Sequence, residues 1–158
     1  MRIACGFDHA GVPLRERTMQ ALADAGHEAV DLGTAEDYPD IALAVGRAVA
    51  EGEYERGVLV CGSGAGVAVA ACKLPGIRAA LTHDTYSAAQ SVQHDNVNVA
   101  CLGARVVGSE LAAACVMAFA GASFTGEERH VRRVGKVLEM EKDGLAAHWE
   151  GLDEHAGP

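Results

Sequence analysis

Aromatic residues are scarce: one Trp, three Tyr and three Phe in 158 residues. A core cannot be built from so few rings, so it must come from Val, Ala, Leu and Ile. Apolar residues do make up 49% of the chain. That share excludes a disordered chain, and the length fits one domain with its own core. Basic residues are also few, 13 Lys and Arg against 22 Asp and Glu, for a net charge of −9. A nucleic-acid binder shows a basic stripe, and this balance argues against one; it argues equally against an anionic membrane surface. A few clustered arginines can still hold a small anion.

No apolar run reaches membrane-spanning length. The five cysteines (Cys5, Cys61, Cys72, Cys101, Cys115) contain no C-x-x-C pair and no zinc-like spacing. With no secretory leader pattern at the start, this odd, scattered set reads as reduced and the protein as cytoplasmic. Low-complexity linkers and internal repeats are missing too.

What the chain does have is alternation. Short apolar runs at 2–7, 27–33, 56–61, 77–82 and 98–103 read as strands. Between them lie stretches of helical spacing at 12–26, 40–53, 64–73, 84–94 and 108–123. Tyr38-Pro39-Asp40 opens the second helix, Asp84 is the predicted N-cap of the fourth and Ser109 that of the fifth. The strands are nearly continuous apolar runs, as expected when both faces are covered. The prediction is an α/β domain: three α/β/α layers around a mostly parallel, five-stranded, Rossmann-like sheet. It occupies 1–142, with a tail over 143–158. A helix over 127–142 closes the domain, and its stripe of Val131, Val134, Val137 and Leu138 packs either on its own domain or across a subunit boundary.

Ligands of open parallel sheets sit beyond the carboxyl ends of the strands. The loop after the third strand, "CGSGAG" (61–66), is the most distinctive. Its G-x-G-x-G spacing fails both the dinucleotide fingerprint and the phosphate P-loop. A small-residue loop entering a helix N-terminus remains, suited to phosphate, to a developing oxyanion, or to nothing beyond a tight turn. Cys61 stands just before it, where a helix N-terminus favours thiolate. Such a cysteine reads as a nucleophile, a base or an inert buried thiol; the other four read as core. Asp8–His9 follow the first strand, as an acid/base pair or as plain loop residues. His94 precedes the fifth strand, at the edge opposite the usual site. Arg129 and Arg133 share one helix face, where like charges repel unless an anion or the solvent answers them.

Together "FDHAG", "DYPD", "VCGSGAGVAVAACKLPGIRAAL", "HDTYSA", "NVACLGARVVG" and "ERHVRRV" resemble the ribose-5-phosphate isomerase B family, which includes relatives of galactose-6-phosphate isomerase. Six motifs in order, over roughly residues 2–140, make the resemblance specific. It implies an aldose–ketose isomerase that works through a cis-enediolate, without metal or organic cofactor. It also implies that Cys61 is the base. A second branch of the family uses a glutamate at the position of Val67, which cannot take a proton. Ser63, where relatives often carry Thr, is implied to orient substrate or thiol, and His94 to open the sugar ring. Asp8, His9, Tyr38, Gly62, Gly64, Ala65, Gly66, Asp95 and Asn96 fall at substrate-binding positions, and Arg105, Arg129 and Arg133 at phosphate-binding ones. In the family a second subunit completes each site, so the resemblance implies a homodimer, or a homotetramer built from two such dimers, joined through the terminal helix. Departures exist: His94-Asp95-Asn96 stands where His-Asn-Asp is usual, and Glu127–Glu128 where relatives often have glycine. They leave the reaction type in place and the exact sugar open: the most favoured pair is ribose 5-phosphate and ribulose 5-phosphate, with four- and six-carbon sugar phosphates as siblings. A non-catalytic anion- or nucleotide-binding module is the reading from a different class.

Overall fold

Five parallel strands run through the computed structural model, which describes residues 1–149. They are β1 (Arg2–Asp8), β2 (Glu28–Ala35), β3 (Arg56–Cys61), β4 (Ala79–Leu81) and β5 (Val99–Gly103). The helices are α1 (Arg15–Asp24), α2 (Tyr38–Ala50), α3 (Ala65–Ala71), α4 (Thr85–Asp95), α5 (Ser109–Gly121) and α6 (Glu128–Asp143). Two compact units result, Met1–Thr125 and a second that begins at Gly126 and contains α6. Asp143, the first residue of the predicted tail, still belongs to α6, and a short 3-10 turn follows at Gly144–Ala146; the tail from 150 onward lies outside the described residues.

The sheet order is β2-β1-β3-β5-β4, all pairs parallel. The chain reverses direction across the sheet between β1 and β3, and β5 inserts between β3 and β4. β3 is therefore central, and crevices open beside it at the carboxyl edge. Side chains alternate along each strand and fill two cores. Ile3, Cys5, Phe7, Val58, Val60 and Leu102 face the layer of α1, α4 and α5. Ala4, Leu59, Cys61, Val99 and Cys101 face α2 and α3. The second layer lies close: a Cβ on Gly6 would come within 2.5 Å of Ile41 and 2.7 Å of Val45.

Two expectations need correction. Ser109 is the first helical residue of α5, and Gly108, extended at ψ 165°, is its N-cap. Cys72 is exposed rather than core, because α3 ends at Ala71 and Cys72 is its C-cap. Asp84 caps α4 as predicted, accepting from the Ser87 N–H at 2.7 Å. On α6, Val134 is buried, but Val131, Val137 and Leu138 are 51%, 49% and 43% exposed, so most of the predicted stripe faces outward. No helix among the described residues is long and apolar enough to cross a membrane.

Candidate active site

Cys61 is the last residue of β3, and it is 4% exposed. The chain then turns over Gly62-Ser63-Gly64 into α3. Gly64 caps that helix at φ 78°, in the left-handed region, where a side chain is strained. Space excludes one as well: a Cβ there would lie 2.7 Å from Leu81 Cδ2 and 2.9 Å from the Leu102 carbonyl carbon. This turn points the Gly64 N–H at the thiol, and Cys61 Sγ accepts it at 3.0 Å. Ser63 Oγ accepts the Ala65 N–H at 3.3 Å. Two N–H groups of the loop are therefore already engaged, one of them by the thiol itself. Val67 is fully buried in the α2–α3 core, and its hydrocarbon side chain offers no acid or base.

The neighbouring strand ends close on this loop. Cys61 pairs with Gly103 in the β3–β5 ladder, and a Cβ on Gly103 would lie 2.5 Å from the Ser63 carbonyl carbon. Ala104 N–H donates to Cys61 O at 2.8 Å and Arg105 N–H to Gly62 O at 2.9 Å. The exposed Arg105 side chain lies over Gly62, with Cζ 3.6 Å from where a Cβ would stand. A guanidinium is thereby placed beside the thiol loop, suited to phosphate oxygens.

From the other side comes the loop after β1. Asp8 is 5% exposed, and its Oδ1 accepts the Gly11 N–H at 2.8 Å. Gly11 itself presses on Val60, whose carbonyl oxygen would lie 2.1 Å from an added Cβ. One carboxylate oxygen of Asp8 thus shapes the loop. His9 Nδ1 donates to Glu36 O at 2.9 Å, which leaves Nε2 with the lone pair in the neutral ring. Tyr38, at the start of α2, lays its ring over Gly66, 3.1 Å from where a Cβ would be.

Asp8, His9, Tyr38, Cys61, residues 62–66 and Arg105 therefore share the carboxyl edge of the sheet. His94, Asp95 and Asn96 do not. They lie at the end of α4, which runs back toward the amino edge. There Asn98 O accepts the Gly57 N–H near the start of β3, about 13 Å along the strand from Cys61 at its far end. His94 Nδ1 is 2.8 Å from the Gln90 amide nitrogen, Asp95 is exposed, and Asn96 ends the helix at φ 51°. Arg129 and Arg133 lie on α6 in the second unit. Arg129 Nε is 3.0 Å from Glu127, and Arg133 is exposed.

His83 was given no role by the sequence, although "HD" at 83–84 was visible at a strand end. Its Nε2 accepts the Gly103 N–H at 3.0 Å. Burial sets apart three other thiols: Cys5 is pushed up to about 12 by burial and then by Asp31, and burial raises Cys101 and Cys115 as well. No group of three or more His, Cys, Asp or Glu among the described residues is arranged to hold a metal ion.

Comparison with known proteins identifies the relatives of this arrangement. The family model for ribose/galactose isomerases matches residues 3–137. Ribose-5-phosphate isomerase B of Escherichia coli is 43% identical over 145 residues, covering 89% of this chain and 97% of that protein. D-erythrulose-4-phosphate isomerase 2 of Mycolicibacterium smegmatis is 40% identical over 148 residues, covering 89% and 97%. Among solved structures, ribose-5-phosphate isomerase B of Mycoplasma genitalium with bound ribulose-5-phosphate superposes with a TM-score of 0.82. It is 37% identical and covers 90% of this chain and 97% of that one.

Proposed function

Because the chain belongs to the ribose/galactose isomerase family, we propose that it interconverts ribose 5-phosphate and ribulose 5-phosphate with Cys61 as the proton-transfer base. The observation that supports this best is the Gly64 N–H directed at Cys61 Sγ at 3.0 Å. A hydrogen bond donated to sulfur favours the anionic, proton-accepting form.

The chemistry balances within the sugar. In the open-chain aldose, Sγ takes the proton from C2. The C–H electron pair becomes the C1–C2 double bond, and negative charge moves onto O1. The same thiol returns the proton to C1 while the O2 hydrogen passes to O1, so the aldehyde becomes an alcohol and C2 the ketone. No net electron leaves the substrate. Charge grows on the substrate oxygens, beside the loop backbone and the Ser63 hydroxyl, and donors already in place act there without reorganisation. Arg105 holds the phosphate, which makes the phosphosugar rather than the free sugar the substrate.

The rest of the site comes from a second copy of the chain, in the cytoplasm. Within one chain His94 stands at the opposite edge of the sheet from Cys61, so His94, Asp95 and Asn96 reach substrate from a partner. Arg129 and Arg133 complete the phosphate site from α6. The half-exposed Val131, Val137 and Leu138 give that helix an apolar face for the dimer. A monomer by sedimentation at micromolar concentration, with full activity, would contradict the shared site.

The relative named for D-erythrulose 4-phosphate, at 40% identity, supports a second reading: the same reaction on a four-carbon sugar phosphate. A coupled isomerase assay across four-, five- and six-carbon aldose phosphates separates the two. The proposal expects the highest kcat/KM on ribose 5-phosphate; a preference for the four-carbon substrate would replace it with the second reading.

A further inference from the structure

We propose that His83 is a positioning residue for the isomerisation: its ring holds the end of β5 against the Cys61 loop and thereby fixes the base and its donors. The proposal rests on the reading of Cys61 as base.

β4 is only three residues long, and its last ladder pair is Leu81 with Cys101. Thr82 N–H still donates to Cys101 O at 3.0 Å. β5 continues two residues further, to a buried Gly103 that has no β4 partner in the ladder. A buried N–H without an acceptor is costly, so something must answer it. His83 supplies a side chain in place of a strand, its Nε2 accepting at 3.0 Å. This role requires the neutral ring with its proton on Nδ1; neither Lys nor Arg at this position offers an acceptor.

What the bond anchors is the far wall of the site. Gly103 touches the Ser63 backbone closely enough that a Cβ would fall 2.5–2.7 Å from three Ser63 atoms. The next two residues donate to Cys61 O and Gly62 O at 2.8 and 2.9 Å. The second of them is Arg105, whose guanidinium lies over Gly62. A shift at Gly103 therefore moves the carbonyl of the base, the turn that aims the Gly64 N–H, and the phosphate arginine together. His83 bonds the Gly103 backbone, whereas the Cys61 sulfur is bonded by Gly64. His83 acts through Gly103, and small misplacements of a reacting group are felt as rate.

The test compares His83→Phe, which keeps a ring and removes the acceptor, with His83→Gln, which restores an acceptor oxygen. Cys61→Ala runs alongside. Steady-state kinetics on ribose 5-phosphate should show kcat reduced by about tenfold in His83→Phe, on the scale of one lost buried hydrogen bond. KM should rise by less than kcat falls, since Arg105 shifts with the loop, and His83→Gln should recover kcat to within about threefold of the parent. In the parent protein, nitrogen NMR should show scalar coupling between the Gly103 amide nitrogen and His83 Nε2 across the hydrogen bond. Absence of that coupling overturns the proposal, as does unchanged kcat in His83→Phe, a change in KM alone, or equal loss in both variants. If His83→Phe does not fold, the coupling together with His83→Gln decides: the coupling must be seen and Gln must keep kcat within about threefold. Normal turnover in Cys61→Ala would instead fail the base reading. Loss there with full activity in His83→Phe would fail this proposal alone.

Discussion

The Gly64 N–H and the Cys61 sulfur lie 3.0 Å apart, joined by a turn that only a residue at φ 78° can make easily. That relationship ties a backbone conformation to the placement of a donor on a side chain, so the proposed reaction depends on the glycine as well as on the thiol. Gly64→Ala should destabilise the fold by about 1–3 kcal/mol, from the left-handed backbone and the contact with the Leu102 backbone. It should also lower kcat by about tenfold or more as the donor moves off the sulfur. Gly26→Ala is the control: φ is 81° there too, yet nothing lies within 4 Å of an added Cβ. It should cost about 1–2 kcal/mol and leave kcat unchanged. Thermal melts and steady-state rates on both variants check this; equal kcat in both would mean that the Gly64 turn does not tune the thiol.

Glu127 bonds the arginine that the family resemblance assigns to phosphate. The pair is exposed on both sides, at 58% and 54%, so it is weak. A phosphate bound at Arg129, as proposed, would compete with Glu127 for the guanidinium. Glu127→Gln should therefore lower KM for the phosphosugar by at most about fivefold, the equivalent of one exposed ion pair, with kcat unchanged. KM is the readout; a rise in KM would mean that Glu127 helps to hold Arg129 in its binding position.

Asp84 links stability to pH. Its carboxylate is held below the usual aspartate range, chiefly by the Ser87 backbone N–H that it accepts. A carboxyl depressed in the folded state stabilises above its unfolded value, and the contribution is lost as pH falls through the folded one. Asp84→Ala should melt lower than the parent at neutral pH, and the gap should narrow below about pH 4. Melting curves from pH 2.5 to 7 test it (roughly the span over which aspartate titrates); a gap that stays constant over that range would contradict the cap's charge as its source.

The thiols should separate by reactivity. Cys5, Cys101 and Cys115 are buried and raised in pKa, while Cys72 is exposed. With iodoacetamide at about pH 8, mass spectrometry should find Cys72 modified and those three spared. Activity should be lost in step with Cys61 modification, and sugar phosphate should slow that step without changing the rate at which Cys72 is labelled. Inactivation that tracks Cys72 would contradict the assignment.

Much of this was legible in residue order. Alternating apolar runs and helical spacings located the strands, because buried parallel strands leave little room for polar residues. Cys61 and its loop stood out because small residues cluster where backbone approaches backbone, as at Gly64 and Gly103. Asp84 announced its cap through its type and place. Sheet order was less visible: nothing local says that β5 inserts between β3 and β4, yet that insertion brings Gly103 to Cys61. His83 was missed for the same reason, since its acceptor role depends on β4 stopping two residues short of β5. The apolar surroundings of Cys72 in the sequence point to the core, but one residue past a helix end changes burial without changing composition. Ser109 was placed as a cap because serine favours that position, whereas the extended Gly108 fills it.

Whether Cys61 moves the substrate proton is decided by exchange in heavy water. Ribose 5-phosphate is incubated with the parent protein or with Cys61→Ala in D2O, and deuterium at the carbon next to the carbonyl is followed by NMR, with binding measured by calorimetry. The parent should incorporate deuterium, Cys61→Ala should incorporate none above background, and both should bind with similar affinity. Exchange by Cys61→Ala at near the parent rate would contradict Cys61 as the base and assign that role to another residue.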